Sequence, residues 1–196
     1  MKKFLAIGVA TAGLCTLSLN AHAELQTWRF TGNVDRKTID FVTPDWLSEG
    51  RTVVIDYEMD MGVPLSYSDF YNGAIVSVSF NGSKFAGDGY VFALENALFG
   101  LNTSLDPAQT GGIDFLSFGV LNSPSAGPDL RAVLTSVSQI VSGIDYLRVD
   151  FGNDAGVYLL PQSFVALPVP EPDAVPLALV GVLLLAYMGK RVRKMP

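Results

Sequence analysis

Apolar and polar residues alternate in short runs through the middle of the chain, from Leu25 to Leu167. Successive side chains of a β-strand point to opposite faces of the sheet, so such alternation predicts strands with one buried face. No run of ten or more residues shows a convincing 3.6-residue period, and the pattern therefore predicts an all-β domain. The clearest run places Val53, Ile55, Tyr57 and Met59 on one face and Val54, Asp56, Glu58 and Asp60 on the other.

Turn residues divide this region into roughly eight to ten strands. Asn81-Gly82 is the strongest hairpin signal because both central positions of such a turn take positive φ, and Asp88-Gly89 predicts a second turn. The number and spacing of the strands favour a β-sandwich, jelly-roll-like or immunoglobulin-like, with a single closed barrel as the alternative. Besides the run above, the predicted strands lie around Trp28 and Phe30 and at Ala74–Phe80, Ser83–Ala86, Tyr90–Leu94, Ile113–Leu121, Leu130–Val141, Ile144–Phe151 and Val157–Ala166, with short helical turns near Pro44–Glu49 and Leu94–Leu101.

The first 23 residues have the three parts of a secretory signal peptide. Lys2 and Lys3 precede an apolar stretch over residues 4–19, and the small residues Ala21 and Ala23 stand where a signal peptidase needs them. The pattern predicts cleavage after Ala23 and export of the residues that follow.

The C-terminal residues predict a spacer, a membrane helix and a cytoplasmic tail. Prolines at 168, 170 and 172 oppose a helix, so residues 168–173 are expected to be extended. Residues 174–189 carry no charge and would span roughly 24 Å as a helix, which predicts one transmembrane helix. Residues 190–196 contain no acid, and their basic side chains favour the cytoplasmic side. These stop-transfer residues are Lys190, Arg191, Arg193 and Lys194.

Pro170, Glu171 and Pro172, followed by a short hydrophobic segment and a terminal basic cluster, resemble the PEP-CTERM sorting signal of Gram-negative bacteria. The resemblance is confined to residues 168–194. It implies processing by an exosortase, a membrane transpeptidase-like enzyme, and delivery from the inner membrane to the cell surface or exopolysaccharide matrix. The alternative is a plain C-terminal anchor on a stiff stalk, which would stay uncut.

The charge of the predicted ectodomain, residues 24–167, argues against nucleic-acid binding. It contains seventeen acidic and seven basic residues, and such a surface repels phosphate backbones. The single cysteine and histidine, Cys15 and His22, both precede the predicted cleavage point. The mature domain therefore lacks the side chains for disulfides, for zinc sites with Cys or His ligands and for a Ser-His-Asp triad. No pair of carboxylates stands out for glycoside hydrolysis, and we expect no enzymatic activity.

Calcium is the one cofactor that the sequence suggests. Asp150, Asn153 and Asp154 flank a glycine turn, and their side-chain oxygens are ligands that Ca²⁺ accepts. Asp, Asn and Gly are also the residues that any tight turn requires, so a turn without metal is the simpler explanation of the segment.

Two other clusters have structural explanations beside functional ones. Asp56, Glu58 and Asp60 share one strand face, which lacks the loop carbonyls of a calcium site and is interpreted as a solvated acidic face. The segment Leu65–Asn72 is the best candidate for a sugar-stacking patch, although core packing explains most of its aromatic residues. The aromatic residues considered for stacking are Trp46, Tyr67, Phe70, Tyr71 and Tyr90.

Together these patterns predict an exported cell-surface or extracellular-matrix protein with a non-enzymatic structural or adhesive role. The alternative is a carbohydrate-binding module for exopolysaccharide, with calcium as a candidate requirement. The expected partners are the membrane, an exosortase-type enzyme and exopolysaccharide.

Overall fold

A computed structural model describes residues 24–67, 69–142 and 145–169. The predicted signal peptide with Ala21 and Ala23 lies outside these ranges, as do Pro170, Glu171 and Pro172 of the sorting motif. The predicted transmembrane helix at 174–189 and the basic residues from Lys190 to Lys194 also lie outside them.

In the described part of the chain, eight antiparallel strands form one closed barrel. Each strand pairs with its neighbours in sequence, and β8 pairs with β1. The strands are β1 Leu25–Lys37, β2 Thr52–Asp60, β3 Phe70–Phe80, β4 Ser83–Ala93, β5 Leu98–Ser104, β6 Phe115–Leu121, β7 Tyr146–Asp150 and β8 Gly156–Ala166. The predicted β-sandwich is therefore wrong, and the alternative of a single closed barrel is confirmed. Alternation specifies which face of a strand is buried, but a second sheet and a closed sheet bury that face equally well.

Closure depends on β1, whose thirteen residues pair with both β2 and β8. The register between β1 and β8 shifts at Thr31/Gly32 and again at Val34/Arg36, and such irregularities bend a strand and increase its twist. Only glycine fits at position 32, because a Cβ atom there would lie 2.8 Å from the backbone oxygen of Leu160. This pairing joins the two sequence ends of the barrel, which no local pattern reveals.

The segment predicted as a strand at Leu130–Val141 is a helix, and that prediction is wrong. Helix α1 spans Pro107–Thr110, between β5 and β6, and α2 spans Leu130–Ile140, between β6 and β7. The Asp129 side chain caps α2 by accepting a hydrogen bond from Arg131 N at 2.9 Å. The buried residues have the i, i+3, i+4, i+7 spacing of one helix face, which the β-branched content of the segment obscured. They are Leu130, Val133, Leu134 and Val137.

Other local predictions divide between confirmed and wrong. Asn81-Gly82 forms the β3–β4 hairpin with φ of 48° and 76°, and a 3-10 turn at Asp45–Leu47 confirms the helical turn expected there. The turn predicted at Asp88-Gly89 is wrong because β4 continues through it. The helical turn expected at 94–101 is also wrong, since β5 begins at Leu98. The last two predicted strands correspond to β7 and β8.

Aromatic side chains fill the interior of the barrel. The Phe118 ring lies 5.2 Å from that of Phe30 and 5.1 Å from that of Phe164, and Trp28 stacks on Phe164 at 5.2 Å. These four side chains are at most 2% exposed. Because inward-facing side chains occupy the interior, the outer wall and the loops are the surfaces left for binding.

The two ends of the barrel differ in what they carry. The described chain begins and ends at one end, named here the termini end, where Glu24 pairs with Arg131 of α2 at 2.6 Å. The opposite end, named the hairpin end, carries the loop from β1 to β2 and the shorter β3–β4, β5–β6 and β7–β8 connections. Within residues 24–67, 69–142 and 145–169, neither helix has the length and apolar character needed to cross a membrane. The described residues therefore offer no counterpart to the predicted transmembrane helix.

Candidate functional site

A groove of about 740 Å³ crosses the outer wall over β6, β7, β8 and the end of β1. Its floor consists of outward-facing side chains, which alternate with buried residues such as Leu147 and Val149. Seven of its lining residues carry ionisable side chains: Asp35, Arg36, Asp145, Tyr146, Arg148, Asp150 and Tyr158.

Tyr158 is the central side chain of the groove. Arg36 and Arg148 are its register partners on the two neighbouring strands, and their guanidinium carbons lie 5.0 Å and 5.8 Å from its ring centroid. The Tyr146 ring approaches edge-on, at 6.0 Å and an interplanar angle of 71°. Cation–π and edge-to-face contacts hold these planar groups in fixed orientations. The groove therefore presents two aromatic rings and two guanidinium groups on a rigid sheet.

Each arginine in the groove has a carboxylate beside it. Arg148 Nη2 lies 2.5 Å from Asp150 Oδ1, and Arg36 Nη1 lies 3.3 Å from Asp35 Oδ2. Burial raises the pKa of Asp150, the nearby Asp114 carboxylate raises it further, and Arg148 opposes both effects. The groove is thus close to charge-balanced, although the domain as a whole is acidic.

Asp145 lines the groove, but its oxygens have a structural role. The residue is 2% exposed, and its carboxylate accepts hydrogen bonds from Leu121 N at 2.9 Å and from Ser142 N at 2.6 Å. These bonds tie the end of β6 to the start of β7. Asp145 is therefore a support for the groove and not a ligand-binding group.

The predicted calcium residues form a tight turn between β7 and β8. Gly152, Asn153 and Asp154 have φ of 74°, 48° and 64°, and Phe151 N donates to Ala155 O at 2.8 Å. Asp150, the third predicted ligand, is paired with Arg148. A calcium ion bound by Asp150 would therefore compete with that arginine. Calcium binding by Asp150, Asn153 and Asp154 stays a prediction.

The acidic strand face is paired rather than simply solvated. Asp56 accepts two hydrogen bonds from Arg29, at 2.7 and 2.8 Å, and Glu58 accepts one from Lys84 at 2.7 Å. Asp60 accepts from Gly62 N at 2.8 Å. Among the described residues, no three His, Cys, Asp or Glu side chains are grouped closely enough to hold a metal ion.

The aromatic residues considered for sugar stacking do not form one patch. Trp46 stacks on Phe80 at 5.3 Å, and the fully buried Tyr71 bonds through its hydroxyl to Gly127. Tyr67 is 88% exposed. Phe70 and Tyr90 do lie together on the outer wall, with ring centroids 6.0 Å apart.

Sequence reasoning missed the four residues at the centre of the groove, which are Arg36, Tyr146, Arg148 and Tyr158. Their signal was present, because Tyr146 and Arg148 alternate with Leu147 and Val149 and therefore face outward. Assembling them requires the pairing of β8 with both β7 and β1, which the sequence does not specify.

The fold and site define a closed antiparallel barrel with an aromatic and arginine-lined groove on its outer wall. Comparisons of the chain with protein-family models, curated proteins and solved structures give no match. Functional proposals therefore depend on the sequence ends and on the geometry above.

Proposed function

We propose that this chain is an exported protein of the cell surface or extracellular matrix with a non-enzymatic structural or adhesive role. The observation that carries the proposal is the paired arrangement of a signal-peptide pattern over residues 1–23 and a PEP-CTERM-like segment over residues 168–194. By this resemblance, an exosortase-type enzyme processes the C-terminal segment.

The barrel geometry is compatible with attachment through one end. Glu24 and Val169 belong to the termini end, so the predicted spacer at residues 168–173 begins there. A domain held by that segment presents its hairpin end and its outer wall to the surroundings. The carboxylates of the groove support a non-enzymatic role, since Arg148 pairs with Asp150 and backbone amides bind Asp145.

Intact-mass measurement of the protein from a host containing the processing enzyme tests this proposal. We expect residues 1–23 and the C-terminal segment to be missing, with the protein in the surface or medium fraction. A variant with Pro170→Ala and Pro172→Ala is the matched control and should keep its tail. Recovery of the wild-type chain from the cytosol with Met1 and Pro196 both present would refute export.

A second candidate function, glycan binding, is favoured by the groove around Tyr158. Sugar rings have apolar C–H faces, which suit aromatic rings, and hydroxyl edges, which suit planar hydrogen-bonding groups such as guanidinium and carboxylate. The groove presents both types of group on a rigid sheet. Exopolysaccharide, the expected partner of a matrix protein, has this chemistry.

Affinity electrophoresis through gels containing polysaccharide tests the second function. Suitable polymers are laminarin, dextran, galactomannan and hydroxyethyl cellulose, with alginate as an anionic comparison. We expect Tyr158→Ala to abolish the retardation that a bound polymer causes. Val54→Ala, which shortens an exposed side chain of β2 outside the groove, should leave it unchanged. Equal retardation of wild type and Tyr158→Ala would exclude the groove.

A further inference from the structure

Four register partners on consecutive strands form a continuous row on the outer wall: Phe92 of β4, Gly100 of β5, Gly119 of β6 and Tyr146 of β7. The Phe92 ring occupies the space above Gly100, where a Cβ atom would lie 2.2 Å from Phe92 Cε1. The Tyr146 ring covers Gly119, where a Cβ atom would lie 3.1 Å from Tyr146 Cζ. We name these four residues the ring row.

The two rings of the ring row lie on the outer wall and not in the barrel interior, and they cover the buried Gly100 and Gly119. Phe92 alternates with Val91 and Ala93, and Tyr146 precedes Leu147; all three of these neighbours are fully buried. Phe92 and Tyr146 are themselves half-buried. Because Tyr146 also lines the groove, the ring row continues the groove from β7 towards β4.

A second row runs beside the first, two residues away on each of the same four strands, and it continues onto β8. Its members, named here the polar row, are Tyr90, Asn102, Ser117, Arg148 and Tyr158. Each offers a hydroxyl, amide or guanidinium group on the outer wall. The two rows together form a strip in which rings lie next to hydrogen-bonding groups.

The charge and length of the strip restrict what it can bind. Arg148 is its one charged member, and that charge is paired with Asp150 at 2.5 Å. From β4 to β7 the strip crosses three strand spacings, roughly 14 Å, which exceeds the width of a single sugar ring. A neutral polyhydroxylated chain matches these two properties, whereas an anionic chain would find no unpaired cation in the strip.

We propose that the ring row and polar row form a binding subsite that extends the groove, so that the site takes an extended, neutral glycan chain and not a single sugar. This inference rests on the proposed glycan binding by the groove. In this arrangement Tyr158 and Tyr146 hold one part of the chain, and Phe92 stacks on a sugar ring further along it.

Variants that act at opposite ends of the strip test the inference. The probes are the neutral polymer that retards the wild-type protein most strongly, among those named above, and the disaccharide from that polymer. We expect Phe92→Ala to weaken polymer binding roughly five- to tenfold, by analogy with the strength of aromatic pairs, and to leave disaccharide binding unchanged. Tyr158→Ala should weaken both. Val54→Ala, which shortens an exposed side chain of β2 outside the groove and the strip, is the control.

A second variant guards against a folding defect in Phe92→Ala. Asn102→Arg places a long cationic side chain in the middle of the strip, on a half-buried outward position of β5, and should weaken polymer binding alone. Unfolding curves for each variant report whether the barrel is intact.

The results that would refute the extended subsite, the neutral ligand and glycan binding by the groove differ from one another. If Tyr158→Ala loses binding while Phe92→Ala and Asn102→Arg bind the polymer like wild type, the extended subsite is refuted and the groove stands. Strongest retardation by alginate refutes a neutral ligand. If no polymer retards the wild-type protein, glycan binding by the groove and its extension are both refuted.

Discussion

Two parts of the outer wall use their outward-facing side chains in different ways. On β1 to β4, Arg29 faces Asp56 directly across the β1–β2 pair, and Glu58 binds Lys84 of β4. We name these four residues the ion-paired wall. The groove wall, around Tyr158, instead presents aromatic rings that are half-buried and a pair of arginines stacked on one of them.

By this comparison, the ion-paired wall contributes to stability, and the groove wall is the part of the sheet that we propose binds a ligand. Cross-strand charge pairs of the ion-paired wall satisfy each other and leave little for a ligand. Rings on the groove wall still have a face or edge towards solvent, and they rest on glycines or beside arginines rather than in the core. Both walls share one interior, so substitutions in the interior should affect the whole barrel, and substitutions on the walls should affect it less.

The largest expected effect is that of Phe118→Ala in the interior. Removing this ring leaves a cavity among Phe30, Phe99 and Phe164, and we expect the free energy of unfolding to fall by about 3–5 kcal/mol. Phe92→Ala on the groove wall is the matched control and should cost no more than about 1.5 kcal/mol. Denaturant unfolding measures both. Equal losses would mean that Phe92 belongs to the core and would remove the distinction between wall and interior.

The next effect distinguishes the two covered glycines. Gly100→Ala forces the Phe92 ring to move and should lower the free energy of unfolding by about 1–3 kcal/mol. Gly119→Ala needs a shift of only a few tenths of an ångström from the Tyr146 ring, and we expect a change below about 0.5 kcal/mol because alanine also restricts the unfolded chain. Unfolding curves of the two variants provide the measurement. A larger loss for Gly119→Ala would contradict the geometry of the ring row.

Some local signals in the sequence predicted local structure correctly, whereas Asp88-Gly89 did not form the predicted turn. Asn81-Gly82 became a hairpin because only residues tolerant of positive φ fit its two central positions. The alternation around Ile55 gave the buried face of β2, whose residues at 53, 55, 57 and 59 are all buried. These features depend on neighbouring residues alone.

Such local signals do not predict which distant strands pair with each other. The choice between sandwich and barrel depends on β1 meeting β8, more than a hundred residues away, and the groove depends on the same pairing. Helix α2 was missed for a different reason. Its valines and threonine favour a strand locally, whereas the Asp129 cap and the packing of Leu134 favour the helix.

The arginines of the two walls should differ in how much they contribute to the free energy of unfolding. Arg148→Ala leaves Asp150, which is largely shielded from solvent, beside Asp114 without its cation, so we expect a loss of about 1–2 kcal/mol in the free energy of unfolding. Arg29→Ala breaks an ion pair whose arginine is 42% exposed, and it should cost about 0.2–1 kcal/mol. Denaturant unfolding at low salt measures both variants. A larger loss in the free energy of unfolding for Arg29→Ala than for Arg148→Ala would contradict this expectation.

The smallest expected effect is a difference in pH dependence between two carboxylates. Lys84 lowers the pKa of Glu58 below its ordinary value of 4.5, so the ionised form stabilises the fold above that value and the stabilisation is lost as the pH falls through the folded-state pKa. Burial raises the pKa of Asp150 above its ordinary value of 3.8, so its stabilising contribution is present below that value and is lost as the pH rises through the folded-state pKa. From pH 3 to pH 7, the free energy of unfolding of wild type should therefore increase relative to that of Glu58→Gln. It should decrease relative to that of Asp150→Asn. We expect each change to be below about 1 kcal/mol, and two changes of the same sign would show that the walls do not differ in their electrostatics.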